Sequence, residues 1–568
     1  MATSSSGGVR ELLRSVVDAY RYMEMPVRRY SLVVLFPAVA FAVVAAVAAA
    51  TLAPSPIVAL PVAGVGLLAP AAALLYPKVA ADRRRREIRE QFHLFLTHIT
   101  VLSMTNIDRV EVFRTLARVE EYGPLAEEMG RITGLVDTWN QSLDDACRRR
   151  SKQVPSPLLA DFLERLAYSI GAGQGVDDFL VDEQDSIIQE FVIRYESALG
   201  KLDVMKELYL SLMLSTTFIL VFATVLPLLI GVPPELLIGG VIAMFVVVQV
   251  GFLFVINAVS PNDPVWLDPE DGPSPARRVR GPLIVGGVFS LVTTAAVVAV
   301  VAGATPLAPD TLPLPLAPAV AVTPLLFPGV AMTRAERQVI ERDEGFPSFI
   351  RALGSVESVK QTSTANVLSS LRKKDFGALT ENVDGLYRRL RTRIDTQEAW
   401  RLFARETGSY LVHKFGEMYV VGRRMGGEPR QLGGIISKNF QEVLRVREKR
   451  TQAARTLVGV IYGISAASMF SAFVGLEIAE QMVRITEQIA SQNGEFVSSL
   501  FATDSYDVGM MRVLLLVVLV INAALSALMI RLTDRGHPVS GLTHFVLLAW
   551  TSGIVAAGTG LIVGNLIG

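Results

Sequence analysis

The residues that could do chemistry are few, and the first candidates are the glycines of "GAGQGVDD" at 171–178. Glycine-rich loops hold phosphates when a strand precedes them and a helix N-terminus follows, so that free N–H groups face the anion. Here the periodicity predicts an amphipathic helix before the glycines, and no G-x-x-x-x-G-K-[ST] motif occurs in the sequence. We interpret Gly171 and Gly175 as a tight interhelical turn, with Asp177 and Asp178 opening the next helix. The chain therefore carries no recognisable motor of its own.

The five histidines and the single cysteine show no pattern of a metal or catalytic site. No two histidines lie at i, i+4, and no cysteine or carboxylate cluster has metal-ligand spacing. No nucleophile, base and orienting group converge in any motif. Cys147 has no second cysteine with which to form an internal disulfide. We expect no catalytic residue, no metal ligand and no cofactor, and hence a protein that is not an enzyme.

The strongest chemical signal is the distribution of charge. Residues 77–206 hold 18 Lys and Arg against 22 Asp and Glu, whereas residues 334–455 hold 24 against 15. Such an excess attracts an oppositely charged surface, so 334–455 is a candidate docking face for an acidic partner. The alternative is a set of solvated helix faces with a basic bias near lipid; nucleic acid is disfavoured because no aromatic residues are interleaved as stacking platforms. The candidate docking residues are Arg372, Lys373, Lys374, Arg388, Arg389, Arg391, Arg393, Arg423, Arg424, Arg445, Arg447, Lys449 and Arg450.

The elements that position these residues are membrane spans and polar helices. The chain has 568 residues, of which 51% are hydrophobic and 19% charged, and several windows of about 20 residues lack charge. The sixth predicted span, "TLPLPLAPAVAVTPLLFPGV", contains five prolines and must be kinked or broken. The predicted spans are 31–52, 55–76, 208–231, 235–259, 282–303, 311–331, 456–478, 512–531 and 541–566.

Basic residues in the short flanks set the orientation of these spans. The N-terminal segment 1–30 is basic and predicted to stay cytoplasmic, which makes the first span a retained anchor instead of a cleaved signal peptide. The connections 231–235 and 303–310 carry no Lys or Arg and are predicted to lie outside. On this topology the loop 479–510 and the C-terminus are extracellular.

The two large polar regions show the periodicity of helices, so the fold class is all-α. In "LLADFLERLAYSI" at 158–170, apolar residues recur at helical spacing, and "ENVDGLYRRLRTRI" at 381–394 does likewise. The predicted organisation is a cytoplasmic segment 1–30, a transmembrane hairpin 31–76, a helical domain 77–207, four spans in 208–331, a basic helical domain 332–455, and three spans in 456–568.

The two halves of the chain repeat one another. Tyr76-Pro77 and Phe327-Pro328 are offset by 251 residues, as are Tyr168, Gly171 and Gly175 from Tyr419, Gly422 and Gly426. A Glu-x-Phe-x-x-Phe signal opens each polar region, at Glu90, Phe92 and Phe95 and again at Glu344, Phe346 and Phe349. Both copies point the same way, which indicates a parallel duplication of one unit.

The entry signal, the Tyr-x-x-Gly-x-x-x-Gly turn and the helix running into the next span resemble the type II secretion system F-domain family. Two copies on a nine-span chain are most similar to its archaeal branch, the platform proteins of archaellum assembly. The resemblance implies a non-enzymatic membrane platform on which a cytoplasmic hexameric ATPase docks, and which passes motion to pilin-like filament subunits (archaellins). We also expect a homodimer in the cell membrane.

Two alternatives to this interpretation stay open. The first is the same platform with another cargo, adhesive type IV pili or secreted proteins. The second is a transporter with a parallel repeat. A transporter predicts ionisable residues inside the spans, and the span centres contain almost none.

Overall fold

The protein is all-helical in the residues that its computed structural model describes, namely 30, 35–39, 42–43, 56–230, 233–267, 275–304, 312–360, 364–493 and 506–567. Within these ranges the only β-type pairing is an isolated antiparallel bridge between Trp266 and Ser409. The all-α prediction is therefore confirmed. The α-helices are α1 (Pro56–Ser103), α2 (Arg109–Ala117), α3 (Pro124–Trp139), α4 (Leu143–Ser151), α5 (Pro157–Gly171), α6 (Val176–Val225), α7 (Pro227–Ile230), α8 (Pro234–Val259), α9 (Pro275–Val301), α10 (Ala317–Val322), α11 (Leu326–Lys360), α12 (Thr364–Leu371), α13 (Thr380–Arg391), α14 (Thr396–Thr407), α15 (Tyr410–Arg424), α16 (Pro429–Asn493), α17 (Val508–Thr533) and α18 (Gly541–Ile567).

Local sequence explains where several of these helices begin. Asp395 precedes α14, and its carboxylate accepts from the backbone N–H groups of Gln397 and Glu398 at 2.9 and 3.2 Å. Asp108 and Asp507 cap α2 and α17 in the same way. Such caps satisfy N–H groups that have no partner within the helix and stabilise it by about 1 kcal/mol.

The chain divides into two compact units, residues 1–188 with 421–428, and residues 189–420 with 429–568. In the first unit, Phe92 and Phe95 of the first Glu-x-Phe-x-x-Phe signal are buried in a bundle formed by α1 to α5. The Phe92 ring meets Phe162 edge-on at 5.5 Å. Glu128 is fully buried there and is ion-paired with Arg131 at 2.7 Å and Arg150 at 2.6 Å.

The second unit contains a bundle of its own, built by α11 to α16, and the second Glu-x-Phe-x-x-Phe signal supplies its core. Phe346 packs against Phe440 at 4.9 Å, and Phe349 packs against Trp400 and Phe403 at 6.1 and 6.0 Å. Both copies of the signal are thus core positions at the entry of a helical bundle.

Two helices are far longer than a membrane span requires. α6 has 50 residues and α16 has 65, and each begins in polar sequence and continues without a break into apolar sequence. At 1.5 Å per residue α6 is about 75 Å long, more than twice the roughly 30 Å hydrocarbon core. This continuity, predicted after each glycine cluster, is present in both halves.

Seven helices in the described residues are long and apolar enough to cross a membrane. They match the last seven predicted spans, whereas most of 31–52 lies outside the described residues. The predicted break in the sixth span is present: a 3-10 turn (Leu314–Leu316), the short α10, a second 3-10 turn (Thr323–Leu325) and then α11 replace a single helix. The protein is a multi-pass membrane protein of the all-α class.

A buried polar network lies among the spans. Gln249 of α8 donates to the Asn522 side chain of α17 at 2.8 Å, and Asn522 donates to Ser465 of α16 at 3.1 Å. Ser526 donates to the Asn522 carbonyl oxygen at 3.2 Å. Unsatisfied polar groups are costly in an apolar surrounding, so these bonds fix three spans in one register.

The two predicted interhelical turns occur where the glycine clusters lie. α5 ends at Gly171 and α6 begins at Val176, and the left-handed backbone between them falls on Gly173, with φ +82°. α15 ends at Arg424 and α16 begins at Pro429, with the left-handed residue at Gly426, φ +92°. Gly171, Gly175 and Gly422 keep negative φ, so only Gly426 of the four predicted glycines supplies the turn conformation itself.

Candidate functional site: a buried charge clasp at the ends of the spans

Four separate parts of the second unit meet around one arginine. They are the segment 260–267 after α8, the polar part of α11, the polar part of α16, and the segment 534–537 after α17. We call the group Asp263, Asp343, Arg447, Arg450 and Arg535 the clasp. The clasp joins the bundle of the second unit to the ends of two spans.

Arg447 lies at the centre of the clasp, and only 1% of its surface is exposed. Its Nε donates to Asp263 Oδ2 at 3.0 Å, and its Nη1 donates to Asp343 Oδ2 at 3.1 Å. Its Nη2 also donates to the Pro264 carbonyl at 2.9 Å. The planar fork of a guanidinium can serve these acceptors at once, which an ammonium cannot do.

Arg450, one turn further along α16, binds backbone instead of carboxylates. Its Nε donates to the Thr533 carbonyl at 2.8 Å, its Nη2 to the Leu532 carbonyl at 3.3 Å, and its Nη1 to the Pro261 carbonyl at 2.7 Å. The carbonyls at the end of a helix lack intrahelical partners and carry the negative end of its dipole. One buried cation therefore caps the end of α17 and also binds the connection that follows α8.

A second ion pair fastens α11 to the same end of α17. Arg531 Nη2 donates to Glu336 Oε2 at 3.2 Å, and Glu336 also accepts from the backbone N–H of His537. A Cβ added to Gly536 would lie 0.8 Å from Arg531 Nη2, so the guanidinium occupies the place that any side chain at 536 would need. Glycine is required there to let the Arg531 side chain pass.

Backbone hydrogen bonds tie the segment 260–267 to the bundle. The Leu267 N–H donates to the Gly408 carbonyl at 3.0 Å, and the Tyr410 N–H donates to the Val265 carbonyl at 3.1 Å. Gly408 has φ +71° and ends α14, so the chain can turn back toward this segment. The connection between α8 and α9 is thus part of the packed bundle at its N-terminal end.

The electrostatics of the clasp differ between its two acids. Burial opposes ionisation of Asp263, but the positive charges of Arg447 and Arg535 outweigh burial and hold the pKa of Asp263 well below its usual value. Burial raises the pKa of Asp343 to about 6, because Arg447 compensates it only in part. Both carboxyls lie outside the apolar spans. Asp263 is therefore ionised in the clasp at neutral pH. Asp343, with its raised pKa, gains a proton at a higher pH than an ordinary aspartate does.

The structure separates the thirteen candidate docking residues into distinct groups. Arg447 and Arg450 are 1% and 2% exposed and belong to the clasp, so they cannot form part of a surface for another protein. Lys449 is ion-paired with Glu196 of α6, and Arg445 is exposed on α16. Arg423 and Arg424 lie in the first compact unit, where Arg423 donates to the Gly427 carbonyl at 2.7 Å.

The candidates in "LRKKD" and "YRRLRTR" lie on two neighbouring segments of the second bundle that contact each other. Arg372 lies 4.9 Å from the centre of the Tyr387 ring and 3.6 Å from Asp384, which also pairs with Arg388. Arg389 is ion-paired with Glu406. We call the exposed members the basic face: Arg372, Lys373, Lys374, Arg388, Arg391 and Arg393.

Asp263, Asp343 and Arg535 are functional candidates that the sequence did not reveal. Asp263 lies in a short polar connection, and its partner Arg447 is 184 residues away, so no local pattern joins them. For Arg447 and Arg450 a signal did exist. Val443, Val446 and Ala454 are buried on the same helical stripe, and the two arginines fall on that stripe.

Comparisons with known proteins agree with this architecture. Residues 95–224, from α1 to the end of α6, match the family described as "Type II secretion system (T2SS), protein F". The chain is 34% identical over 498 residues to "Flagella accessory protein J" of Methanococcus voltae, spanning 87% of this chain and 89% of the relative. It is 31% identical over 501 residues to "Flagella accessory protein J" of Methanocaldococcus jannaschii, spanning 87% and 88%. No solved structure matches.

Proposed function

The chain belongs to the flagella accessory protein J family, and from that premise we propose that it is the membrane platform on which an archaellum is assembled and moved. The platform docks a cytoplasmic hexameric ATPase and transmits its motion to the filament subunits. Identity that extends over nearly nine tenths of a relative named for flagella is the observation that carries this proposal. The chain itself does no catalysis in this proposal.

The clasp supports a role in transmission. A platform must move its spans when force is applied to its polar bundle, and a loosely tethered bundle would dissipate that force. Here the second bundle is continuous with α16 and is also fixed to the connection after α8 and to the end of α17 by buried hydrogen bonds. A displacement of the second bundle therefore carries at least three spans with it.

The basic face supports a docking role for the second bundle. Lys373, Arg391 and Arg393 are exposed, and no carboxylate pairs with them among the described residues. Arg393 also has a left-handed backbone, φ +59°, which is unfavourable for a residue with a side chain. Six exposed cations on two adjoining segments fit an acidic protein surface. We assign the ATPase to this face, on the cytoplasmic side that the basic flanks indicate.

A charge-reversal variant tests the docking. Lys373, Lys374, Arg391 and Arg393 are changed together to Glu, and Arg388 and Arg389 are left in place because they are ion-paired with Asp384 and Glu406. We expect co-purification of the ATPase to fall at least tenfold at low salt. The matched control reverses four exposed arginines of the first unit, Arg109, Arg118, Arg148 and Arg149. Equal recovery of the ATPase with both variants would refute the assignment.

A clean deletion in the native host tests the whole proposal. We expect loss of swimming in soft agar and loss of archaella in electron micrographs, with thin adhesive pili still present. If adhesive pili vanish while swimming persists, the platform serves another filament and the archaellum assignment is wrong. If every filament remains, the platform function is wrong and a transport role, the remaining alternative, must be assayed.

A further inference from the structure

Two hydroxyls that occupy equivalent places in the repeat touch each other. Thr217 of α6 and Ser468 of α16 are 251 residues apart, the offset that relates the two halves, and their side-chain oxygens are 2.6 Å apart. Both residues are buried, at 8% and 2% exposure. A twofold axis that passes between two copies brings equivalent residues of the copies into contact.

The same relation recurs one heptad further along. Gly475 of α16 is 251 residues from Thr224 of α6, and a Cβ added to Gly475 would lie 2.4 Å from Thr224 Oγ1. Both pairs advance by seven residues in the same direction, so α6 and α16 run parallel and in register, like the strands of a two-stranded coiled coil. A glycine facing a threonine lets the helix axes approach closely.

The register extends toward the polar ends of the helices. Lys449 of α16 is ion-paired with Glu196 of α6, at an offset of 253 residues. From Glu196 to Thr224 the helix rises about 42 Å, so the two helices remain neighbours beyond the thickness of the hydrocarbon core. We call the three contacts Glu196–Lys449, Thr217–Ser468 and Thr224–Gly475 the seam.

We propose that the seam is an internal twofold interface, so that one chain supplies both halves of a twofold platform and no second copy pairs through α6 or α16. Each helix buries its equivalent face against the other half of the same chain. That face is then closed to a second molecule. This inference stands on the seam alone and does not depend on the filament that the platform serves.

Cysteine cross-linking in native membranes tests the proposal. Cys147 is replaced by Ala, and Thr217→Cys and Ser468→Cys are introduced singly and together. Side chains whose terminal oxygens lie 2.6 Å apart are close enough for a disulfide. After mild oxidation we expect the double variant to run at monomer mass and to resist a thiol-reactive polyethylene glycol until it is reduced. We expect each single variant to keep a free thiol and to form no dimer.

Three results would overturn the proposal. Dimers of a single variant would show α6 against α6, or α16 against α16, of a second copy. Dimers of the double variant alone would show that the seam joins two chains. Free thiols in the oxidised double variant would show that the helices are not neighbours. The matched control is Phe218→Cys with Phe470→Cys, on the same helices but 67% and 48% exposed, which we expect to stay reduced.

Swimming of the reduced double variant is scored separately. Suppose that the intrachain cross-link forms in the double variant, but that cells with the gene deleted still swim. The seam would then be supported, and the proposed function would be wrong. The two inferences are therefore distinguishable.

Discussion

Tyr419 donates its hydroxyl to Glu357 Oε2 over 2.7 Å, and both residues are buried in the second unit. Its counterpart in the repeat, Tyr168, is 77% exposed in the first. The same residue type at the same repeat position thus fixes a helix pair in one half and lies on the surface in the other. Removing the hydroxyl should therefore have different consequences in the two halves.

We expect Tyr419→Phe to destabilise the protein by about 1–3 kcal/mol, because a hydrogen bond to a buried carboxylate is lost. Tyr168→Phe should change stability by less than about 0.5 kcal/mol. Thermal unfolding of the purified chain in detergent measures both. Equal melting temperatures for the two variants would contradict the different environments of the two tyrosines.

The clasp predicts unequal effects for its two acids. Asp263→Asn leaves Arg447 and Arg535 buried with much less compensating charge, so we expect a loss of about 3–5 kcal/mol. Asp343→Asn should cost less than about 2 kcal/mol, because burial already disfavours the charge at that position. The fraction of each variant that stays folded in membranes, measured at a series of rising temperatures, distinguishes the two effects. A more severe Asp343 variant would show that the anion of the clasp has been misassigned.

The raised pKa of Asp343, about 6, gives stability a dependence on pH. Between about pH 4, the usual pKa of Asp, and pH 6, the folded protein retains a proton that the unfolded chain has lost. This group therefore makes stability fall as the pH rises through that window, by up to about 3 kcal/mol. We expect the melting temperature of the wild type, relative to Asp343→Asn, to fall between pH 4.5 and 6.5 and to level off above. A difference that stays flat would place the Asp343 pKa at its ordinary value.

Close packing of α11 against α16 depends on two glycines. A Cβ at Gly433 would lie 2.8 Å from the Ile350 carbonyl oxygen, and one at Gly354 would lie 2.3 Å from the Pro429 carbonyl oxygen. We expect Gly433→Ala to destabilise by about 1–3 kcal/mol through forced separation of the helices. The adjacent Gly434 has open space, so Gly434→Ala should stabilise by about 1 kcal/mol through helix propensity. Melting temperatures of the two single variants are compared with that of the wild type. A shift in the same direction for both variants would refute the different packing of Gly433 and Gly434.

Periodicity and turn chemistry predicted the long helices and the broken sixth span, because each of these depends on residues close together in sequence. The Glu-x-Phe-x-x-Phe signals marked where each polar region opens, and the structure adds that their phenylalanines form the bundle cores. The sequence "EQMVRITEQIASQNGEF" also predicts that the seventh span continues as a helix beyond the membrane, and α16 extends to Asn493. The clasp could not be predicted in the same way. Its carboxylates and guanidiniums come from distant segments, and the residue type alone does not show whether an arginine is buried or exposed. Only the position of Arg447 and Arg450 on the apolar stripe of α16 distinguished them.

The offset of 251 residues was visible in the sequence, but its structural meaning was not. An offset says that two segments are equivalent and says nothing about whether they touch. Thr217 and Ser468 carry no motif, and a hydroxyl pair inside the spans gives no signal without the partner helix. The contact between them is what turns a duplicated sequence into an inference about symmetry.

The presence of two copies in one polypeptide has a consequence for how the two copies can evolve. In a dimer of identical chains every mutation appears twice, so both halves must always present the same surface. Here the halves have been free to diverge: one polar region is acidic and the other basic, and a tyrosine is exposed in one and buried in the other. On the function proposed above, a docked ATPase would meet two chemically different polar regions on one chain. Two identical chains related by symmetry could not offer that difference.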